Sequence, residues 1–426
     1  MSGRAVADAG GAVVTAPSSR HSLAARFRSR FGRRTSSGRF IAEIDGLRFP
    51  AIAFVVLGHL CSFVTTLHAA PDVSTSGRIV RSISDHASEG VVLFFIVSGF
   101  VLALPFASEQ LLGARPVSLR AYFLRRVTRL EPPYLLSLAV FLVAKLLARR
   151  LHLVPGTESA GELMRHFAAS AGYLHNLVYG EPSLINGVAW SLEVEIQFYL
   201  LVPLLAAVFR IRSTLVRRAM MLAAIVAMIT AQYVPLVLPP RVSLSILGNL
   251  QFFLLGFLLA DVYLLDPALS ARERGWGWDI VAIVAWWLVM ALWNAGDAAA
   301  IALPFVAFAA FVAVFRGVLA NRLFTNPWIT TIGGMCYSIY LLHFMLITMA
   351  GKLLYRGRAP SAHLWSDLLM RGPVLLAIAM VVSAVFFALV ERPCMDPQWP
   401  EKLARRLRLG REPGATPLLS STVEEP

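Results

Sequence analysis

The stretch Leu47–Leu60, LRFPAIAFVVLGHL, places an arginine and a histidine inside an otherwise apolar run. Arg48 and His59 are eleven residues apart, and on a helix this separation amounts to three turns plus roughly 20°. The two side chains are therefore predicted to lie on one face of a membrane-spanning helix. Because ionisable groups are costly to place in hydrocarbon, such a pair marks a functional site by default.

The composition around this stretch is that of a polytopic membrane protein. Hydrophobic residues make up 57% of the 426-residue chain and charged residues only 15%. Apolar windows close to the length of about 20 residues that spans a bilayer recur along the chain. They predict an all-α membrane bundle of about ten transmembrane helices, at 47–67, 89–107, 132–150, 189–209, 217–238, 243–264, 279–295, 298–316, 330–351 and 371–391.

The distribution of positive charge predicts the orientation of the bundle. With the N-terminus inside, 28 of the 39 Lys and Arg residues fall on cytosolic segments, as the positive-inside rule requires. Both termini are therefore expected in the cytoplasm. The net charge of +14 reflects this orientation and contact with lipid headgroups, whereas no folded basic domain indicates binding to nucleic acid.

The chain divides into one membrane domain and two polar tails. Residues 1–39 are rich in Arg, Ser, Gly and Ala without an apolar signal region, and we interpret them as a disordered, basic cytosolic tail. Residues 40–395 are the predicted membrane domain, and residues 396–426 are expected to be a second disordered cytosolic tail. The region 161–180 is broken by polar residues and is interpreted as an external segment.

The three cysteines, Cys61, Cys336 and Cys394, form neither a CxxC motif nor a Cys/His metal pattern. An odd number of cysteines at membrane positions gives no disulfide framework, so structural thiols are the simpler interpretation. We expect no metal site and no bound cofactor.

Short polar motifs interrupt the first two spans. Asp45 and Arg48 open the first span, and His59 lies about 16 Å further along it at 1.5 Å per residue. In the second span, GVVLFFIVSGFVLAL, Ser98 and Gly99 break an apolar run. Small residues of this kind either let a ligand approach closely or pack membrane helices together. The sequence leaves both interpretations open.

The segment YFLRRVTRLEPPY carries three arginines, Arg125, Arg126 and Arg129, at the cytosolic mouth of the third span. Guanidinium groups on neighbouring helical positions suit a polyanion such as the phosphates of a nucleotide or of coenzyme A. Alternatively, they are topogenic charges that meet lipid headgroups.

The fourth span begins NGVAWSLEVEIQFYLLVPLL and places two carboxylates, Glu193 and Glu195, in apolar surroundings. Glu193 is nearer the interface and is expected to be solvated. Glu195 lies about 9 Å in from the external end of its span, and His59 lies about 18 Å in from the other side. In a hydrocarbon core of about 30 Å these depths predict one polar pocket in the outer half. His343, in the CYSIYLLHF motif, falls at a comparable depth, although packing also explains that motif.

Six elements resemble the acyltransferase-3 family of integral membrane O-acyltransferases and occur in the family's order between Glu43 and about Pro393. They are Arg-x10-His at Arg48 and His59, FFxxSGF at Phe94–Phe100, RxxR at Arg126 and Arg129, WSLxxExxFY at Trp190–Tyr199, YSIYLLHF at Tyr337–Phe344 and ERP at Glu391–Pro393. Members of this family acylate sugars, surface polysaccharides, peptidoglycan or small glycosylated metabolites.

The resemblance implies an O-acyltransferase that takes acyl-CoA, most commonly acetyl-CoA, from the cytosol, and it marks Arg48 and His59 as essential. The implied partners are acyl-CoA, a glycan or glycosylated acceptor, and membrane lipid. No segment resembles the SGNH-type hydrolase domain that some members carry outside the membrane. We therefore expect the membrane domain, or a separate partner, to complete the transfer. The sequence does not specify the acceptor, the acyl chain length or the oligomeric state.

Acylation of a hydroxyl needs a base, and it needs donors for the oxyanion that develops on the thioester carbonyl. His59 is the candidate base or, alternatively, the carrier of an acyl-histidine intermediate. Glu195 is expected either to hold an imidazole in one tautomer or to bind acceptor hydroxyls. The candidate oxyanion donors are Arg48, Tyr199 and Tyr340. The predicted supporting pocket consists of Asp45, Trp190, Tyr199, Tyr340 and His343.

The alternative function is that of a secondary transporter or channel, whose intramembrane charges would form an ion pathway. That class predicts charges spread over both halves of the chain and paired broken helices. Here the intramembrane Arg, His and Glu residues are concentrated in the first half, and the cytosolic arginines suit CoA phosphates better than a passing ion. The sequence therefore favours the enzyme.

Overall fold

The computed structural model describes most of the chain between residues 40 and 409. The described ranges are 40–68, 72–151, 158–233, 239–270, 272–293, 295–357, 360–361, 363–396 and 398–409. Within these ranges the chain forms helices and no strand, which confirms the predicted all-α membrane bundle. The predicted N-terminal tail, 1–39, lies outside the described residues.

The helices are numbered here in chain order. Helices α1 to α7 are Ala42–Thr66, Thr75–Asp85, Ala87–Leu112, Leu119–Arg150, Ala160–Ala171, His175–Tyr179 and Trp190–Leu205. Helices α8 to α13 are Thr214–Tyr233, Pro240–Ser243, Ile246–Leu265, Pro267–Ser270, Trp276–Leu292 and Asp297–Arg316. Helices α14 to α19 are Leu319–Phe324, Pro327–Gly334, Cys336–Leu354, Leu364–Phe386, Arg392–Cys394 and Trp399–Leu409. Short turns of 3₁₀ helix, Gly187–Ala189 and Ala206–Arg210, flank α7, and a π-helical turn, Phe387–Glu391, follows α17.

Nine helical segments in the described part of the chain are long and apolar enough to cross a membrane. They correspond to nine of the ten predicted spans. The remaining one, predicted at 279–295, is the apolar helix α12 of 17 residues, which is about 25 Å long at 1.5 Å per residue. It packs against α13 as a helical hairpin. With α12 counted, the apolar helices in the described part of the chain number ten, as the sequence predicts.

The predicted C-terminal tail differs from the structure, because Trp399–Leu409 forms helix α19 within the segment expected to be disordered. The indole Nε1 of Trp399 donates a hydrogen bond to the carbonyl of Thr128 in α4, at 2.8 Å. An anchored tryptophan of this kind stabilises a polar helix beside the bundle. The composition of the segment does not reveal that tertiary contact.

Glycines, which have no side chain, let helix α3 approach both α1 and α10 closely. A Cβ on Gly90 of α3 would lie 2.2 Å from the carbonyl oxygen of Ala51 in α1, and a Cβ on Gly99 would lie 2.2 Å from that of Phe253 in α10. Small residues permit such backbone contact in membrane bundles. Gly99 of the SGF motif is thus a packing residue, whereas the neighbouring Ser98 contacts α7.

The segment predicted as external folds against the first turn of α7. The backbone N–H of Asn176 donates to the carboxylate of Glu193 at 2.8 Å, and the Asn176 amide donates to the carbonyl of Trp190 at 2.8 Å. Glu193 is only 1% exposed, so the expectation that it is solvated is wrong. Nearby, His166 Nδ1 and His175 Nε2 lie 2.6 Å apart, and burial together with the neighbouring His166 lowers the pKa of His175.

Candidate functional site

Two histidines meet inside the bundle, one on α1 and one on α16. His343 Nε2 lies 3.2 Å from His59 Nδ1, and the ring centroids are 5.1 Å apart. The ring of Phe344 packs against that of His59 in an edge-to-face arrangement, with centroids 5.2 Å apart. His343 is fully buried, and His59 is half-buried. The structure thus brings together two of the predicted site residues from opposite ends of the sequence.

The partners of the two rings determine their tautomers. His343 Nδ1 lies 2.9 Å from the carbonyl oxygens of both Ile339 and Tyr340, and carbonyls only accept, so Nδ1 carries the proton and Nε2 is an acceptor. His59 Nδ1 lies 2.8 Å from the carbonyl oxygen of Val55 and is therefore a donor, shared between that carbonyl and His343 Nε2. A neutral His59 then carries its lone pair on Nε2, for which the described residues provide no hydrogen-bond donor.

Polar contacts near its N-terminal end hold α16, and with it His343. Glu391 of the ERP motif accepts hydrogen bonds from the backbone N–H of Ser338 at 3.0 Å and from its hydroxyl at 2.5 Å, which caps the start of the helix. Further along, the Tyr340 hydroxyl donates to the carbonyl of Val188 at 2.8 Å and lies 2.6 Å from Ser191 Oγ. These bonds fasten α16 to the start of α7.

Arg48 occupies the opposite end of α1. Its guanidinium pairs with Asp45 one turn earlier, and its side chain is only 12% exposed. The same guanidinium interacts electrostatically with Cys336 at the start of α16 and with Glu195 of α7. Arg48 and His59 therefore both face α16, in agreement with the predicted shared face.

Glu195 does not lie beside His59, contrary to the single polar pocket predicted from helix depths. Its carboxylate accepts a hydrogen bond from Ser98 Oγ at 2.5 Å and interacts with the hydroxyl of Tyr199. The described contacts of His59 are with Val55, His343 and Phe344 and do not include Glu195. The residue that contacts Nδ1 of His59, and so orients its imidazole, is His343 and not Glu195.

Helix contacts explain this separation. Gly58 packs on Ala87 at the start of α3, and the earlier residue Ala51 packs on the later Gly90, so α1 and α3 run antiparallel. Ser98 lies eleven residues beyond Ala87, which is about 16 Å along the helix. The polar residues therefore form two groups. The inner cluster consists of Asp45, Arg48, Ser98, Arg126, Glu195 and Tyr199, and the outer cluster consists of His59, Ser191, Tyr340 and His343.

The three predicted oxyanion donors, Tyr340, Tyr199 and Arg48, are either engaged by other groups or distant from His59. The hydroxyl of Tyr340 already donates to a backbone carbonyl, and that of Tyr199 interacts with Glu195. Arg48 belongs to the inner cluster, about 16 Å from His59 along α1. The geometry therefore does not place Arg48 and His59 on the same reacting atom.

The three predicted donor-binding arginines differ in their surroundings. Arg126 and Arg129 are half-buried, whereas Arg125 is exposed. The guanidinium of Arg126 lies over the ring of Tyr122, 4.5 Å from its centroid, and interacts electrostatically with Tyr199. The buried Nε of Arg129 has no hydrogen-bond partner among the described residues. Neither Arg126 nor Arg129 forms an ion pair with a carboxylate in the described part of the chain.

Comparison with known proteins places this geometry in a family. The acyltransferase-3 family model, described as an acyltransferase domain, matches residues 41–390. The chain belongs to this acyltransferase family. The match covers both clusters and confirms the interpretation of the chain as an acyltransferase enzyme, in preference to a transporter.

Three bacterial relatives accompany the family match. Nodulation protein 10 of Rhizobium leguminosarum bv. viciae is 25% identical over 338 residues, which are 72% of this acyltransferase and 82% of the relative. O-acetyltransferase OatA of Staphylococcus aureus is 24% identical over 350 residues, 76% of this chain. Peptidoglycan O-acetyltransferase OatA of Listeria monocytogenes is 23% identical over 397 residues, 84% of this chain. The chain matches 53% and 56% of the lengths of the two OatA proteins. No solved structure matches.

The acyltransferase shows no metal-binding constellation in the residues that the structure describes, where no three His, Cys, Asp or Glu side chains are placed to hold an ion. Cys61 and Cys394 are buried and Cys336 is half-buried, and none of the three forms a disulfide within the described part of the chain. The two clusters themselves present imidazole, carboxylate, guanidinium and hydroxyl groups.

Proposed function

We propose that this membrane acyltransferase moves an acyl group, in the simplest case acetyl, from cytosolic acyl-CoA to a hydroxyl of a glycan or glycosylated acceptor on the other side of a bacterial inner membrane. The observation that carries the proposal is the tautomer of His59, whose Nδ1 is held by Val55 and His343 while Nε2 is left to accept a proton. Release of CoA from acetyl-CoA by the purified protein tests it.

Arginines at the mouth of α4 support the choice of donor. Two half-buried guanidiniums without carboxylate partners are costly unless an anion neutralises them. Arg126 and Arg129 lie three residues apart and so project from neighbouring positions on one helix. The phosphates of CoA are anions of the required kind, since guanidinium groups bind phosphate through short, charge-assisted hydrogen bonds.

Arg126→Ala and Arg129→Ala are expected to weaken donor binding more than chemistry. Each variant removes a charge-assisted contact to phosphate, for which a loss of about 1.5–3 kcal/mol is a fair estimate. The KM for acyl-CoA should therefore rise at least tenfold, with kcat at saturating donor nearly unchanged. The exposed Arg125→Ala is the matched control and should change KM by less than threefold. A constant KM with a falling kcat in the first two variants would contradict the phosphate contact.

Three residues of the inner cluster, Ser98, Glu195 and Tyr199, lie between these arginines and the histidine pair. They form a polar line across α3 and α7, in which Ser98 donates a hydrogen bond to Glu195 and Glu195 interacts with the Tyr199 hydroxyl. We propose that the acyl-pantetheine arm of the donor passes this line from the cytosolic side and presents its thioester to His59. Arg48 then contacts the donor on the way, and this role replaces that of an oxyanion donor at the reacting carbonyl.

The transfer step requires one base and one leaving group. His59 Nε2 removes the proton of the acceptor hydroxyl while the hydroxyl oxygen attacks the thioester carbonyl. The carbon–sulfur bond then breaks, and the CoA thiolate takes the proton back from the imidazolium, so that ester and free CoA remain. A general base of this kind contributes roughly 10²- to 10⁴-fold. His343 holds Nδ1 of His59 and accepts its hydrogen bond more strongly once His59 is charged.

The class of acceptor is proposed from the relatives. Both OatA proteins are named as O-acetyltransferases, and the Listeria relative is named for peptidoglycan, which is a glycan. A glycan hydroxyl as the acceptor fits an outer cluster at the end of α1 remote from the arginines. Direct transfer through the base mechanism is proposed here as the simpler of the two routes, since it needs no acyl-histidine intermediate.

A further inference from the structure

A cleft of about 550 Å³ lies between α3, α7, α8, α10, α12 and α13. Its volume is within the range of about 300–1,000 Å³ that small-molecule sites occupy. The residues at its wall belong to the ends of these helices that the charge distribution places outside the cytoplasm. The wall combines aromatic rings and amides, namely Trp190, Phe252, Trp293, Gln232, Asn249 and Gln251.

The wall residues are uncharged. Among the described residues that line the cleft, none is Asp, Glu, Lys, Arg or His. The cleft is therefore unsuited to the phosphates of CoA, which need positive charge. Sites for neutral ligands usually combine aromatic faces, which make apolar contacts, with a few polar groups that orient the ligand.

Two amides are arranged to receive hydroxyl groups. Gln232 Nε2 and Gln251 Nε2 each donate to the carbonyl of Gly248 at 3.1 Å, so both nitrogens are assigned and both Oε1 atoms are acceptors. Gln251 is only 3% exposed, and its Oε1 has no hydrogen-bond partner among the described residues. A buried acceptor without a donor costs about 1–3 kcal/mol. A ligand hydroxyl would supply the missing donor.

The cleft lies at the membrane level of His59. Ser88, at its α3 wall, follows Ala87, which packs on the neighbour of His59, Gly58. On the other wall, Trp190 precedes Ser191, whose hydroxyl lies 2.6 Å from that of Tyr340. The Tyr340 ring is 5.9 Å from the ring of His343. Both walls therefore connect directly to the outer cluster.

From this placement we infer that the cleft is the acceptor subsite and binds a neutral sugar unit, with Gln251 and Gln232 accepting from its hydroxyls and the indoles packing on its ring. The inference rests on the proposed acyl transfer and names the part of the acceptor that the site recognises. The uncharged wall predicts a preference for neutral over anionic sugars.

The test measures acyl transfer from acetyl-CoA to neutral oligosaccharides, with N-acetylchitotetraose and maltotetraose as probes, together with CoA release in the absence of sugar. We expect saturable transfer to at least one neutral probe. Gln251→Leu and Gln232→Leu should raise the KM for that sugar at least tenfold, with the KM for acetyl-CoA changed less than twofold. Ser88→Trp, at an exposed position of the wall, should do the same by filling the cleft. The exposed Gln110→Leu is the control and should leave both values unchanged.

The outcomes separate the subsite from the proposed function. If the wild-type protein releases no CoA, the proposed function fails. If it releases CoA but neither probe is acylated, or if Gln251→Leu and Ser88→Trp leave the KM for the sugar unchanged, the acceptor subsite is overturned. Occupation of the cleft by a lipid chain also contradicts the inference, and it would appear as inhibition by added phospholipid without competition by the sugar.

Discussion

His59→Ala is expected to lower acyl transfer at least a hundredfold in a folded, membrane-inserted protein. The variant removes the nitrogen that accepts the proton of the acceptor hydroxyl, and general base catalysis contributes roughly 10²- to 10⁴-fold. Alanine is a good helix former, so α1 should remain intact. The measurement is kcat for transfer at saturating acyl-CoA, with protein abundance and melting temperature in detergent recorded in parallel.

His363→Ala is the control for the loss of a histidine as such. The His363 side chain is 63% exposed and lies 3.8 Å from Asp72, outside both clusters. Its removal should leave kcat within twofold of the wild-type value. Near-normal transfer by His59→Ala at normal abundance would contradict the base assignment, whatever the control shows.

Arg48→Lys is expected to lower kcat/KM at least tenfold. Lysine keeps the positive charge and its pairing with Asp45, but it loses the planar fork that can hold a second acceptor at the same time. Loss of one charge-assisted hydrogen bond corresponds to about 1.5–3 kcal/mol. The measurement is kcat/KM for acyl-CoA in detergent or vesicles.

Arg120→Lys is the matched substitution at an exposed arginine and should leave kcat/KM unchanged. Because Arg48 belongs to the inner cluster, most of the loss in Arg48→Lys should appear in the KM for the donor. If Arg48→Lys keeps the wild-type kcat/KM, a point charge is sufficient at position 48. That result would contradict a bidentate contact between Arg48 and the donor.

Periodicity and composition are enough to predict the membrane-spanning helices, because a spanning helix needs a long apolar run and the bilayer fixes its length. The way in which these helices pack against one another does not follow from periodicity or composition. The depths of Glu195 and His59 were counted from helix ends, but α1 and α3 are set against each other by backbone contacts at Gly58 and Gly90. These contacts place Glu195 with Ser98 and leave His59 to His343.

Other parts of the site depend on contacts between distant segments. The burial of Glu193 follows from Asn176, which reaches it from the external segment. The tautomer of His59 depends on His343, whose ring nitrogen can be assigned only once its carbonyl partners are known. The acceptor cleft combines six helices, and no local motif in the sequence reveals it. Asn249 and Gln251, which are polar within a long apolar run, are the signals that the sequence offers.

The central claim is that the donor enters at the arginine end of the bundle and reacts at the histidine end. Its most direct test uses sealed vesicles with the protein in one known orientation and radiolabelled acetyl-CoA added to one side only. We predict that acetyl-CoA on the side of Arg126 and Arg129 is turned over to free CoA on that same side, that the label appears in sugar on the opposite side, and that His59→Ala abolishes both. Turnover of acetyl-CoA supplied only on the side of the cleft, or label transfer by His59→Ala at the wild-type rate, would contradict the account.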